Sequence, residues 1–312
     1  MALRTRSRFA AVLASAAFVA VTVILLIAYA VVAQSDRLLY PERHSLVGSA
    51  GRYGYLTPAD CGLAYQDVTM ATEEGWVLRG WYAPVRSPVP RRAGRALLMI
   101  HGHKENRVSM LQLARFYADL GFSLLLFDLR HHGDSGGREF TMGVREWRDA
   151  ARAAGWLRDR GFEPRRMAVY GVSMGAMIAI KTQAEAAPFG AVVADCPSSD
   201  MRATIEDYGH SYYAMPGLFL RLAISLAERG AGIDLDEIAC GRIVSKVRCP
   251  LLLIHGEDDR RIPAEHSRLL ASRAGGPVET LFVPGAGHAQ CFDKATGLYE
   301  RTIAAFLEKS LP

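Results

Sequence analysis

The sequence has no C-x-x-C pair and no histidine cluster at metal-ligand spacing, and its five cysteines (Cys61, Cys196, Cys240, Cys249 and Cys291) are scattered over 312 residues. That argues against a structural zinc site. An odd cysteine count leaves at least one thiol unpaired within the chain; Cys240 with Cys249 is a weak disulfide candidate, resting on closeness in sequence alone. Net charge is also scarce. The formal +5 comes from 37 basic and 32 acidic residues, and it shrinks once Arg4, Arg6 and Arg8 are set aside as flanks of an apolar run. A near-neutral remainder does not suit nucleic-acid binding. No stretch in the middle of the chain has a linker's composition, and outside the first apolar run there are no internal repeats or low-complexity tracts. The length suits one large α/β domain or two small ones.

What is present begins with that run. From Phe9 to Ala33 there is no charged residue. At about 1.5 Å per residue, such a helix crosses a hydrocarbon core of roughly 30 Å. A cleaved signal peptide is the competing expectation, favoured by small residues near Ala28-Tyr29-Ala30 and Val31-Val32-Ala33. Its apolar region normally spans about 7 to 15 residues, and this one is longer. The expectation is therefore a basic cytoplasmic flank at 1–8, a single-pass anchor at 9–33 and a connecting segment at 34–64. Residues 65–312 then form a domain delivered to the extracytoplasmic side, or secreted if the first segment is cleaved.

Beyond the connecting segment, Gln66 to Thr72 and Val77 to Tyr82 alternate in polarity around Glu73-Glu74-Gly75, which predicts an antiparallel hairpin. A loop rich in proline and arginine follows from Pro84 to Gly94. Ala96 to Ile100, Phe122 to Phe127, Met167 to Tyr170, Ala191 to Ala194, Leu251 to Ile254 and Glu279 to Val283 are short apolar runs without alternation, as suits strands covered on both faces. Helices are expected at about Val108 to Leu120 and Gly143 to Arg160. Strands separated by helices imply right-handed crossovers and a mostly parallel sheet. Residues from about 198 to 248 are helical and intervene between two strands, so they are expected to form a lid over the sheet's C-terminal edge, with Tyr208, Tyr212, Tyr213, Met215, Leu218 and Phe219 as candidate lining.

The chain's chemistry centres on Gly171-Val-Ser173-Met-Gly175, a G-x-S-x-G sequence between a strand and a stretch of helical composition. A serine at so sharp a turn has a strained backbone, and the two glycines let strand and helix approach. Its hydroxyl is a poor nucleophile unless a base lies within hydrogen-bond reach and an acid orients that base. Two later loops leave the same sheet edge. One, His255-Gly-Glu-Asp-Asp259, supplies carboxylates; the other, Pro284-Gly-Ala-Gly-His288, supplies an imidazole.

These motifs, with His101-Gly102 and Asp128-x-Arg130-x-x-Gly133-x-Ser135, occur in an order that resembles the α/β-hydrolase superfamily, in particular its serine aminopeptidase-like and lysophospholipase-like branch. The likeness covers roughly residues 65 to 310. It implies an α/β-hydrolase fold: a mostly parallel central sheet with helices on both faces and a small helical lid, here preceded by one N-terminal transmembrane helix. It further implies Ser173 as nucleophile, His288 as base and Asp259, rather than its rival Asp258, as acid. The oxyanion donors would be the backbone N–H groups of Met174 and His103, although Lys104, Glu105 and Asn106 depart from the glycine-rich loop of lipases. His101 and His255 are expected to brace loops, His131 and His132 to be structural, Asp195 to cap the next segment, and Cys196 and Cys291 to fill space. The expected activity is hydrolysis of an ester or thioester in a small-molecule or lipid-like acyl substrate, with no metal or organic cofactor. An amide hydrolase of small peptides and a non-catalytic binding module of the same fold are the alternatives.

Overall fold

The computed structural model describes residues 2–85 and 89–312. The chain starts in one long helix, α1 (Ala2–Leu39), whose stretch Leu13–Leu39 has a mean hydropathy of 2.7 and is long and apolar enough to cross a membrane. The helix continues past Ala33 because its last turns find packing. Leu39 is buried against Ala227 and Ala231, and its carbonyl accepts the N–H of Phe140 at 2.8 Å. The expected connecting segment holds a second helix, α2 (Leu46–Tyr53). Ser45 caps it by accepting the Gly48 N–H at 3.1 Å, and Gly54 ends it in the left-handed region at φ 77°. Eight residues are too few for a hydrophobic period to stand out, which is why the segment showed none.

Eight strands form one sheet: β1 (Gln66–Ala71), β2 (Val77–Ala83), β3 (Arg95–Ile100), β4 (Phe122–Phe127), β5 (Met167–Val172), β6 (Ala191–Asp195), β7 (Leu251–Gly256) and β8 (Val278–Val283). Their order is β1-β2-β4-β3-β5-β6-β7-β8. β2 pairs antiparallel with β1 and with β4, and every other pairing is parallel. The central strand β5 lies between β3 and β6, with Gly171 opposite Ile100 on one side and Ala194 on the other. This register carries the ends of β5, β6 and β7 to a common edge.

Helices cover both faces. Leu98 and Ile100 face a core shared with α4 (Glu146–Arg158) and α5 (Met174–Ala186). Leu97 and Met99 point the other way, toward α3 (Leu111–Asp119) and α10 (Cys291–Ser310). Two expected helices start late for local reasons. Asn106 caps a 3-10 turn at Arg107–Met110 before α3 begins. Gly143 has φ +100°, and the Glu146 carboxylate accepts the N–H groups of Thr141 at 2.8 Å and Gly143 at 2.7 Å, so α4 begins at Glu146. In the expected loop from Pro84 to Gly94, residues 86–88 lie outside the described residues.

Between β6 and β7 lie α6 (Met201–Tyr213), α7 (Gly217–Ala231) and the single turn α8 (Cys240–Ile243), with α9 (Glu265–Arg273) following β7. Asp200, not Asp195, caps α6, accepting the Ala203 N–H at 3.0 Å. All five cysteines are free, Cys240 and Cys249 included, which corrects the suggested pairing of these two.

Candidate active site

Ser173 stands between β5 and α5 with φ 55° and ψ −119°, a conformation costing on the order of 1–3 kcal/mol for a residue with a side chain. The surroundings hold it there. Its N–H donates to the carbonyl of Asp195 at the end of β6, at 2.7 Å. A Cβ on Gly171 would lie 2.7 Å from the amide nitrogen of Ala176, and one on Gly175 would lie 2.6 Å from the carbonyl oxygen of His101. Only glycine at both places lets β5, α5 and β3 close around the turn.

Two loops from the same sheet edge meet the serine. His288 follows β8, and its Nε2 lies 2.8 Å from the Ser173 hydroxyl oxygen. Its Nδ1 lies 2.6 Å from a carboxylate oxygen of Asp259, which follows β7. A carboxylate can only accept, so Nδ1 carries the proton and Nε2 presents its lone pair to the hydroxyl. Burial alone would push the Asp259 carboxyl up. Hydrogen bonds from His255 and His288 and from the backbone N–H of Ile262 outweigh it and hold the group well below the usual carboxylate range. Asp259 therefore stays ionised beside the imidazole. The rival Asp258 is exposed, and its N–H donates to Ala286.

The loop after β3 closes the other side. A Cβ on Gly102 would lie 3.6 Å from the Ser173 Cβ, so this backbone runs beside the serine. Among the described residues, the N–H groups of His103 and of Met174, the first residue of α5, have no acceptor. Two unspent donors thus belong to the segments that border Ser173. The bulky residues that follow are tied to α2: Asn106 donates to Ser49 Oγ at 2.8 Å, and Glu105 pairs with Arg52 at 2.7 Å.

Other conspicuous side chains serve the frame. His101 accepts the Leu129 N–H at 3.1 Å and donates to the Gly102 carbonyl at 2.8 Å. The His255 Nε2–H is shared between the Ile262 carbonyl at 2.7 Å and the Asp259 carboxylate at 3.4 Å, and Nδ1 accepts from Ser267 at 2.6 Å. Its ring, a thiol of Cys196 and the Asp259 carboxylate lie close enough to hold an ion, but both His255 nitrogens are already spent. Asp128 accepts the N–H groups of Arg107 at 2.7 Å and Asp134 at 2.9 Å, and Ser135 donates to the Asp128 carbonyl at 2.6 Å, which makes the aspartate motif a brace. His131 and His132 lie in that brace and do not line the cavity. Cys196 contacts Cys291; that contact, burial and the Asp195 carboxylate hold its thiol well above its usual range, so it is no nucleophile.

Sequence reasoning missed two features. Asp195 accepts from Tyr299 at 2.8 Å at the end of β6, and burial pushes its carboxyl up. No local pattern announces a contact spanning 104 positions. In front of Ser173 lies a cavity of about 920 Å³ whose apolar lining includes Met110, Phe140, Met142, Met177, Ile205 and Leu220. Tyr208, Tyr213 and Met215 line it as expected, whereas Leu218 and Tyr212 are exposed to solvent and the half-buried Phe219 does not line it; Gln34, Arg37 and Leu38 of α1 were not anticipated at all.

An elbow serine, an imidazole and two free amides at the C-terminal edge of this sheet define the protein as an α/β hydrolase. The model of the prolyl oligopeptidase family, Peptidase_S9, matches residues 133–312, more than half of the chain, and the chain belongs to that family. It is 32% identical over 256 residues to uncharacterized protein Rv2307c of Mycobacterium tuberculosis, covering 82% of this chain and 80% of that one. Alpha/beta hydrolase domain-containing protein 17B of Xenopus laevis is 30% identical over 222 residues, 69% of this chain and 67% of that one. Esterase Pf2001 of Pyrococcus furiosus superposes with a TM-score of 0.70 at 25% identity, covering 88% of this chain and 98% of that one. These likenesses reach the superfamily and family; the lysophospholipase-like branch finds no support among them.

Proposed function

We propose that this protein is a membrane-anchored serine hydrolase that cleaves a carboxylic ester or thioester through an acyl-enzyme on Ser173. The observation that carries the proposal is the unbroken relay from the Ser173 hydroxyl through His288 to Asp259, at 2.8 and 2.6 Å. Ser173 Oγ attacks the carbonyl carbon as its proton passes to His288 Nε2. The resulting oxyanion takes the N–H groups of Met174 and His103, each such donor being worth about 3 kcal/mol in related chemistry. His288 returns the proton to the leaving alkoxide or thiolate; water, activated by the same imidazole, then releases the acid. Asp259 holds the ring and offsets its transient charge. This sequence of steps calls on no metal or organic cofactor.

The esterase-like structural relative supports an ester substrate. The family match supports a second reading, hydrolysis of an amide in a small peptide. In either case α1 is the anchor, with the domain on the extracytoplasmic side. Ser173→Ala should abolish turnover of p-nitrophenyl esters and labelling by a fluorophosphonate while leaving the thermal transition in place. Unchanged turnover in that variant would remove Ser173 from the reaction, and a wild-type chain that takes no label would favour a binding module.

A further inference from the structure

The cavity before Ser173 is lined in part from outside the hydrolase domain, by α2 through Arg52 and Tyr53 and by α1. Gln34, Arg37 and Leu38 of α1 line it together with Ser173 and His288. Along α1 every residue from Leu13 to Ala30 is exposed, and burial against the domain begins at Val31. Gln34 follows Ala30 by about 6 Å of helix rise, comparable to the polar zone on each side of a hydrocarbon core of roughly 30 Å. With the bare stretch in hydrocarbon, the α1 wall of the cavity sits at the depth of the lipid head groups.

The lid extends the same surface. α7 packs on α1 through Leu39, Ala227 and Ala231. Leu218 and Leu222, one turn apart on α7, are 64% and 47% exposed, and Tyr212 and Tyr213 at the end of α6 are 50% and 61% exposed. An apolar patch of this kind beside a bare apolar helix is an interaction surface, and the occupant to which α1 leads is the bilayer. Leu218 and Leu222 do not line the cavity. The cavity also carries cations: Arg37 and Lys104 have no carboxylate partner among the described residues, and the Arg261 guanidinium lies 5.3 Å over the Tyr208 ring. Of the acidic side chains there, Glu105 is paired with Arg52 and Asp195 is buried, which leaves Asp293 against three positive charges.

We infer that the substrate reaches Ser173 from the bilayer, over the lip formed by α1 and the lid, and that it is an acyl ester lipid with an anionic head group. The acyl chain lies on the methionine-rich floor, and the head group meets Arg37, Lys104 and Arg261. This rests on the esterase reading of the site.

The test uses the full chain reconstituted in phosphatidylcholine vesicles that carry a dye-labelled monoacylglycerol or its phosphate monoester with the same oleoyl chain, with soluble p-nitrophenyl butyrate assayed alongside. Replacing Leu218 and Leu222 together by Asp should slow hydrolysis of both vesicle-held lipids by about tenfold or more, since two leucines leave an apolar phase, and should leave the soluble ester unaffected. The phosphate lipid should be cleaved faster than the neutral one, and Arg37→Glu should erase that preference. Equal rates on vesicle-held lipid in wild type and double variant, or preference for the neutral lipid, would overturn the inference while soluble turnover kept the esterase reading intact. Failure on every ester, soluble and membrane-held, would sink the esterase reading itself.

Discussion

Gly175 sits directly against Ile100: a Cβ on it would overlap the Ile100 carbonyl oxygen at the end of β3. The backbone atoms there cannot yield as a flexible side chain would, so Gly175→Ala must push α5 away from the sheet and move Ser173 with it. The expected loss of stability is about 1–3 kcal/mol, accompanied by a lower rate on p-nitrophenyl esters. Urea denaturation followed by fluorescence checks it, and an unaltered midpoint would contradict the packing described.

Asp259 and Asp258 are adjacent, yet only Asp259 meets His288. Asp259→Asn keeps an acceptor for the N–H groups of Arg261 and Ile262, both at 2.9 Å, while removing the charge that orients the ring. Turnover should fall by roughly 10⁴-fold, as in other relays of this kind. Asp258→Asn, on an exposed side chain, should keep wild-type kinetics. A reversed outcome for the two variants would reassign the acid.

Burial lowers the His101 imidazole to about 4, because protonating Nε2 would put a positive charge in the core and break its hydrogen bond from Leu129. The unfolded ring titrates near 6.5. Between these values the unfolded ring binds more protons than the folded one, so this ring's contribution to stability falls as pH drops from about 6.5 to about 4. Buried Asp128 and Asp149, both pushed up to about 6, act in the opposite sense over part of that window, so the readout is a comparison. The urea midpoint of the wild type should fall relative to that of His101→Gln, which still accepts the Leu129 N–H without titrating, and parallel curves would contradict it.

Tyr117 keeps its hydroxyl buried with no partner among the described residues, whereas Tyr299 donates to Asp195 at 2.8 Å. Tyr117→Phe deletes an unsatisfied group and should be neutral or stabilising by about 1 kcal/mol; Tyr299→Phe should cost about 1–3 kcal/mol by stripping a buried carboxyl of its donor. Thermal melts of the two variants should move apart, and a large loss for Tyr117→Phe would mean that its hydroxyl has a partner in solution.

The strands and the elbow were legible because each is encoded locally: β3 through β7 are short apolar runs, and Gly171 and Gly175 mark where backbones touch. The choice of Asp259 over Asp258 came from the family resemblance, through the positions of His255-Gly256 and Ile262-Pro263 around it. What stayed hidden depends on contacts between distant positions. α2 is short and stabilised by its Ser45 cap and by Asn106, and α1 extends to Leu39 because α7 receives it. Asp195 sits at a strand end where a helix cap was expected, but its partner Tyr299 comes from α10, which no pattern near residue 195 reveals. Lining residues were harder still: Leu218 and Leu220 are equally apolar, and only the rotation of α7 turns one out and the other in.

The bond from the Phe140 amide to the Leu39 carbonyl means that the leading helix and the globular part share an internal joint. A fragment trimmed to start after position 39, as one would cut it for handling in water, would uncap that amide, leave the alanine notch of α7 open and strip one side from the vestibule before the serine. Rates measured on such a fragment would describe a wider, more permissive enzyme than the intact chain.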